Sequence, residues 1–192
     1  MSKLSACMIT LDEECILSRA LDSIYDFVDE IIIYDTGSKD KTRQIAIGYP
    51  KVKFIEGYWD DDYSRARNAS IENSTGDWIL HIDADEFYDP LNAGCFDKLM
   101  EDGDRDGYDA YEFICQAFVG RINPTLYSPE FKVRMFRNYC RFTGRLHETI
   151  TGFSNKRLVS VIFHHHKKIE WQELDNSRYA KMNEIYNLGV NS

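Results

Sequence analysis

Trp78-Ile79-Leu80-His81-Ile82 runs without a break into Asp83-Ala84-Asp85-Glu86. The first five residues have the length and apolar character of a buried strand. The next four place three carboxylates at its carboxyl end. Working back, residues 63–74 carry a helical pattern that ends in the turn cluster Ser74-Thr75-Gly76-Asp77. Val52-Lys53-Phe54-Ile55 is a strand before it. Glu30-Ile31-Ile32-Ile33-Tyr34 is another, ending at Asp35-Thr36-Gly37-Ser38. Asp40 or Ser38 can cap a short helix through Ile47. Leu4–Thr10 is the first strand, and Ile16, Leu17, Ala20, Leu21, Ile24 and Val28 recur at the three- and four-residue spacing of a helix. Repeated strand–helix alternation predicts an α/β fold with a mainly parallel sheet and helices on both faces. In such sheets ligands bind beyond the carboxyl ends of the strands.

Toward the carboxyl terminus the pattern changes. Asn92–Glu101 reads as a helix and Gly103-Asp104-Arg105-Asp106-Gly107 as a loop. Tyr108–Phe118 and Phe131–Phe136 have strand character, with Arg121–Ser128 looping between them. Leu158–Phe163 is a further strand leading into His164-His165-His166. Trp171, Leu174, Met182, Ile185 and Tyr186 fit an amphipathic helix over Glu170–Leu188. These elements predict a small antiparallel part after the parallel half.

The chain has 192 residues, 43% apolar and 29% charged, the balance of a globular domain. A net charge of −9 argues against a general binder of nucleic acid or membrane surfaces. It also means that a diphosphate ligand would need a cation or clustered Arg and His. The five cysteines, Cys7, Cys15, Cys95, Cys115 and Cys140, show no C-x-x-C pair, which fits reduced thiols and a cytoplasmic protein. The short apolar stretch at the start lacks a signal-peptide pattern, and no run reaches the ~18 residues of a membrane span.

Asp83 and Asp85, two residues apart on an extended chain, point to one side and form a claw for a hard cation such as Mg²⁺ or Mn²⁺. A helix-capping loop is the structural alternative. Asp35 can accept from a base N–H or ribose hydroxyls, or bond the backbone of its own turn. Arg67 lies one turn into a helix, where a diphosphate could meet the helix start, or it is a solvated charge.

Cys7-Met8-Ile9-Thr10 with Asp12-Glu13, the run Val28–Thr42, Asp62-Tyr63-Ser64-Arg65-Ala66-Arg67-Asn68, and Gly76–Glu86 together resemble the family 2 glycosyltransferases of the GT-A fold. The branch most like it is a bacterial one whose members often carry helical repeats behind the catalytic domain. The resemblance implies that Thr10, Asp12 and Glu13 flank the nucleotide base. It implies that Asp35 holds the nucleoside, that Arg67 touches base or diphosphate, that Asp83 and Ala84 line the nucleotide-sugar site, and that Asp85, helped by Asp83, binds the divalent metal. Arg134-Met135-Phe136-Arg137 and Gly144-Arg145-Leu146-His147-Glu148 resemble further elements of that branch. They imply Arg134 and Arg137 as additional donor-site cations, and His164 as the comparable metal-site histidine.

The expected reaction moves a sugar from a nucleotide diphosphate-sugar, UDP by family habit, to a hydroxyl of a glycan, lipid-linked or protein acceptor. It is expected to proceed with inversion and a divalent metal. The acceptor proton needs a base within hydrogen-bond reach, which is Glu148 first and His147 second. Residues 1–90 would form the nucleotide-sugar half, 91–168 the acceptor half of the same domain, and 169–192 a C-terminal helix able to pair a homodimer. The alternative is a non-catalytic nucleotide-sugar binding or assembly module. A haloacid-dehalogenase-like phosphatase would carry its D-x-D near the first strand. A sugar-nucleotide pyrophosphorylase would want a basic Gly-rich loop where Asp12-Glu13-Glu14 stands.

Overall fold

A computed structural model describes residues 2–89, 92, 94–119, 125–126 and 129–167. The elements run β1 (Leu4–Thr10), α1 (Leu17–Ile24), β2 (Glu30–Asp35), α2 (Thr42–Ala46), β3 (Val52–Glu56), α3 (Tyr63–Glu72), β4 (Trp78–His81) and β5 (Glu86–Tyr88). They continue as α4 (Cys95–Asp106), β6 (Ala110–Val119), β7 (Thr125–Leu126), β8 (Glu130–Arg137), β9 (Arg141–Thr143), β10 (Thr149–Thr151) and β11 (Lys156–Lys167). Among the described residues one sheet has the order β3-β2-β1-β4-β8-β6-β11-β5, with β7 beside β6, and β9 and β10 form a separate hairpin. β1, β2, β3 and β4 are mutually parallel where they pair. β8 pairs antiparallel with β4 and β6, so the expected antiparallel part is the other half of the same sheet.

Strand alternation explains how the sheet is covered. Leu4, Ala6 and Met8 of β1, Ile31 and Ile33 of β2, and Trp78 and Leu80 of β4 join one buried cluster with α1 and α4. Cys7, Ile32 and Ile79 point the other way, into a second cluster with Ile71 of α3 and Phe142 of β9. Helices therefore lie on both faces, as the near-continuous apolar strands require. α1 buries Leu17, Ala20, Leu21 and Ile24, the stripe its spacing predicts.

Two elements depart from the sequence reading. The stretch 103–107 is not a loop, because α4 continues through Asp106. Gly103 is there for close packing: a Cβ at this position would lie 2.3 Å from the Trp78 ring. The helix ends instead at Gly107, which adopts φ 76° as its left-handed cap. The segment after β4 is also not extended. Glu86 N donates to Asp83 O at 3.0 Å, so residues 83–86 turn the chain back into β5, a strand too short to show a pattern. The expected helix over Glu170–Leu188, and the homodimer contact assigned to it, fall outside the described residues.

Candidate active site

A cavity of about 870 Å³ opens at the carboxyl ends of β1, β2 and β4, where the topology of such sheets predicts it. Thr10, Glu13, Arg67, Asp83, Ala84, Asp85, Arg134 and Glu148 of the sequence-predicted residues all line it. Its volume is in the range that encloses a ligand the size of a nucleotide.

Arg67 is the hub. α3 starts at an Asp62 cap whose carboxylate accepts from Arg65 N at 3.0 Å, and one turn later Arg67 faces inward, 8% exposed. Its Nη2 donates to Asp83 Oδ1 at 2.8 Å and its Nε to His81 Nε2 at 2.9 Å. Its Nη1 pairs with Glu148. Arg134 reaches the same carboxylate from the opposite side, with Nη2 3.4 Å from Asp83 Oδ2 and in an ion pair with Glu86. Arg134 is the extra residue of a bulge: Tyr111 pairs Met135 and Glu112 pairs Val133, so no β6 residue faces it. Bulges of this kind re-aim a side chain beside a site.

His81 lies buried between the two guanidiniums, with its Nδ1 against Arg134 Nη1. Burial holds its pKa well below the usual range, with Asp83 opposing and the flanking arginines adding to the shift, so the imidazole is neutral. Asp83 is the converse. Burial opposes its charge, but Arg67 and Arg134 hold its carboxyl well below the ordinary value. Glu86, 1% exposed, is pushed up to about 7 by burial and the nearby Asp83, against the pull of Arg134.

α3 also positions the segment that carries Glu148. Tyr63 N donates to Arg145 O at 3.0 Å, and Ser64 Oγ bonds Gly144 O. Asn68 exchanges two hydrogen bonds of 2.9 Å with the backbone of Phe142. These contacts clamp the β9–β10 hairpin over the helix. His147 takes φ 48° in its turn, an angle His tolerates better than most residues. It is exposed and off the cavity wall, whereas Glu148 next to it lines the cavity.

Several expected residues sit elsewhere. His165, not His164, meets Asp85, with Nε2 2.8 Å from Oδ2. Residues alternate on β11, so His164 turns away and stacks on Phe87 with centroids 4.9 Å apart. Burial opposes a charge on His165, but the Asp85 bond and Cys115 lift its pKa to about 10. Arg137 is also on the far face, packed 4.0 Å over the Trp78 ring and paired with Asp104 at 2.7 Å. Asp35 is buried and accepts from Thr10 Oγ1 at 2.9 Å, Gly37 N at 3.0 Å and Ser38 N at 2.8 Å. It organises the turn, while its neighbours Thr10 and Thr36 form the wall. Asp12 accepts from Lys39 N at 2.7 Å and locks two loops together behind the wall.

Among the described residues no group of three or more His, Cys, Asp or Glu is arranged to hold a metal ion. Asp83 has both oxygens engaged by arginines, which leaves Asp85, held by its bond to His165, as the open carboxylate on the wall. One carboxylate, oriented by its histidine partner, fits a divalent cation that takes its remaining positions from phosphates and water.

A sequence profile described as "Glycosyl transferase family 2" matches residues 5–160. A TPR repeat-containing protein of Synechococcus elongatus is 50% identical over 86 residues, 45% of this chain and 21% of that protein. The SPbeta prophage-derived glycosyltransferase SunS of Bacillus subtilis is 29% identical over 149 residues, 77% of this chain and 35% of that protein. The chain thus spans well under two thirds of the length of these relatives. Among solved structures, S. aureus TarS 1-349 in complex with UDP-GlcNAc superposes with a TM-score of 0.62 at 16% identity, over 86% of this chain and 58% of that one. Glucosyl-3-phosphoglycerate synthase from Mycobacterium tuberculosis, in complex with Mn²⁺, UDP and phosphoglyceric acid, superposes at 0.50 with 24% identity, over 59% and 43%. These structures share the α/β fold. No helix among the described residues is long and apolar enough to cross a membrane.

Proposed function

This chain belongs to glycosyl transferase family 2, and from that premise we propose that its cavity transfers a sugar from a nucleotide diphosphate-sugar, a UDP-sugar first, to a hydroxyl acceptor. The observation that carries the proposal is the convergence of Arg67, Asp83, Asp85 and Glu148 on one cavity from three separate elements. The solved neighbours with UDP, UDP-GlcNAc and Mn²⁺ support the donor class and the cation.

In this reading Arg67 and Arg134 face the diphosphate and offset the charge that grows on the leaving group. Asp83 fixes both guanidiniums, and neutral His81 separates them without adding charge. Asp85, oriented by His165, would hold a divalent cation, which when bound supplies further compensation for the diphosphate. Glu148 takes the acceptor proton as the new bond forms, and displacement at the anomeric carbon inverts it. Residues 1–90 supply the donor side, and 91–168 supply the acceptor side. The acceptor is a glycan, a lipid-linked sugar or a protein hydroxyl, and the setting is cytoplasmic.

A thermal-shift panel of nucleoside diphosphates with and without Mn²⁺ tests the donor, and slow hydrolysis of the sugar it selects tests the chemistry. Glu148→Gln is expected to keep nucleotide binding and to lower turnover by about 10²-fold or more. Binding without hydrolysis or transfer for any donor would favour a non-catalytic nucleotide-sugar module instead.

A further inference from the structure

We propose that Trp59 and Tyr63 form the platform on which the nucleobase of the donor stacks, an inference that rests on the donor reading above. Trp59 and Tyr63 both line the cavity, as do Thr10 and Thr36. Tyr63 and Arg67 stand four residues apart on α3, so they share one helix face. The Arg67 guanidinium carbon lies 5.5 Å from the Tyr63 ring centre, and the Trp59 ring lies a further 4.8 Å from Tyr63 in an edge-to-face contact. Cation, phenol and indole are thus contiguous on the wall, as diphosphate, ribose and base are contiguous in the donor.

The indole is held in place before any ligand arrives. Its Nε1 donates to Asp61 Oδ1 at 2.9 Å, and Asp61 takes the left-handed φ of 60° that brings this carboxylate back to the ring. The loop beneath is clamped: Gly57 N donates to Asp35 O at 2.8 Å and Arg65 Nη2 to Tyr58 O at 2.8 Å. Gly57 presses so closely on Tyr34 that a Cβ would lie 2.1 Å from its ring. A pre-positioned aromatic face gives up little freedom on binding and accepts any planar base.

The test compares UDP with inorganic pyrophosphate, both with Mn²⁺, by calorimetry on the full chain. Trp59→Ala is expected to weaken UDP binding about tenfold, leave pyrophosphate binding unchanged, and be largely rescued by Trp59→Phe. UDP, but not pyrophosphate, is also expected to quench tryptophan emission in the unmodified protein, and Trp59→Phe to abolish that quench. This second readout holds even if Trp59→Ala does not fold. Equal losses for UDP and pyrophosphate would overturn the platform, as would unchanged UDP binding with a raised acceptor KM, or the absence of a quench on saturation with UDP. If the unmodified chain binds no nucleoside diphosphate, the donor reading itself falls, a result distinct from these.

Discussion

Arg67 grips Glu148 and Asp83 at once, so one guanidinium joins the residue proposed as base to the turn that ends β4. The side chain is buried, and each carboxylate near it relies on it for charge compensation. Arg67→Ala leaves Asp83 to Arg134 alone and Glu148 without its cation. Breaking one side of a buried pair costs about 3–5 kcal/mol, and urea denaturation should show a loss of that size. Arg67→Lys restores the charge but not the three-way fork, and should recover only part of it.

His81 is an acceptor for Arg67 and is 3% exposed. His81→Phe keeps the volume and removes that acceptor. The expected loss is about 1–3 kcal/mol, because Arg67 Nε is then buried without a partner. Denaturation midpoints of the two proteins check this, and no change would show that another group satisfies Arg67 Nε.

The two adjacent histidines of β11 should behave differently. His165→Ala is expected to weaken Mn²⁺ binding about tenfold or more, read as a rise in the Mn²⁺ midpoint of the UDP-dependent thermal shift. His164→Ala, stacked on Phe87 away from Asp85, should leave that midpoint in place.

Gly103→Ala sets two effects against each other. Alanine in a helix interior gains about 1 kcal/mol over glycine. The added Cβ, 2.3 Å from Trp78, overpacks a fully buried ring and costs about 1–3 kcal/mol. The contact is with a rigid indole, so net destabilisation is the expected outcome in a thermal melt.

Asp109 gives a pH dependence with a definite sign. The Tyr139 hydroxyl, the Ser154 backbone and side chain, and Asn155 N all donate to it, holding its carboxyl down at about 2. A depressed carboxyl stabilises the fold above its ordinary value of 3.8, and that contribution disappears as pH falls toward about 2. The stability difference between the unmodified chain and Asp109→Asn should therefore be present at pH 5 and shrink between about pH 4 and pH 2. A difference independent of pH would contradict the assignment.

Much of the fold was legible because its signals are local. The α1 stripe, the three isoleucines of β2 and the strand before Asp83 each carry their own periodicity, and the parallel half follows from their order. The stretch 103–107 misled because its two glycines and polar run look like a loop, whereas the reason for Gly103 is a tryptophan 25 positions away in the chain. The opposite facing of Arg134 and Arg137, three apart on a strand, was readable in principle from strand alternation. The bulge at Arg134 was not, since it depends on the register with β6. Asn68 closes the Asp62–Asn68 run, but its clamp on Phe142 spans 74 positions.

The order of strands and helices, the placement of polar clusters at strand ends, and the residue types able to handle a diphosphate were all determined by the sequence alone, because each depends on neighbours within a few positions. Which histidine meets Asp85, which arginines share Asp83, and that Glu148 rests against Arg67 were decided only by the tertiary structure. Those pairings depend on strand register and on buried charges finding compensation, and both are properties of the packed chain rather than of any segment of it.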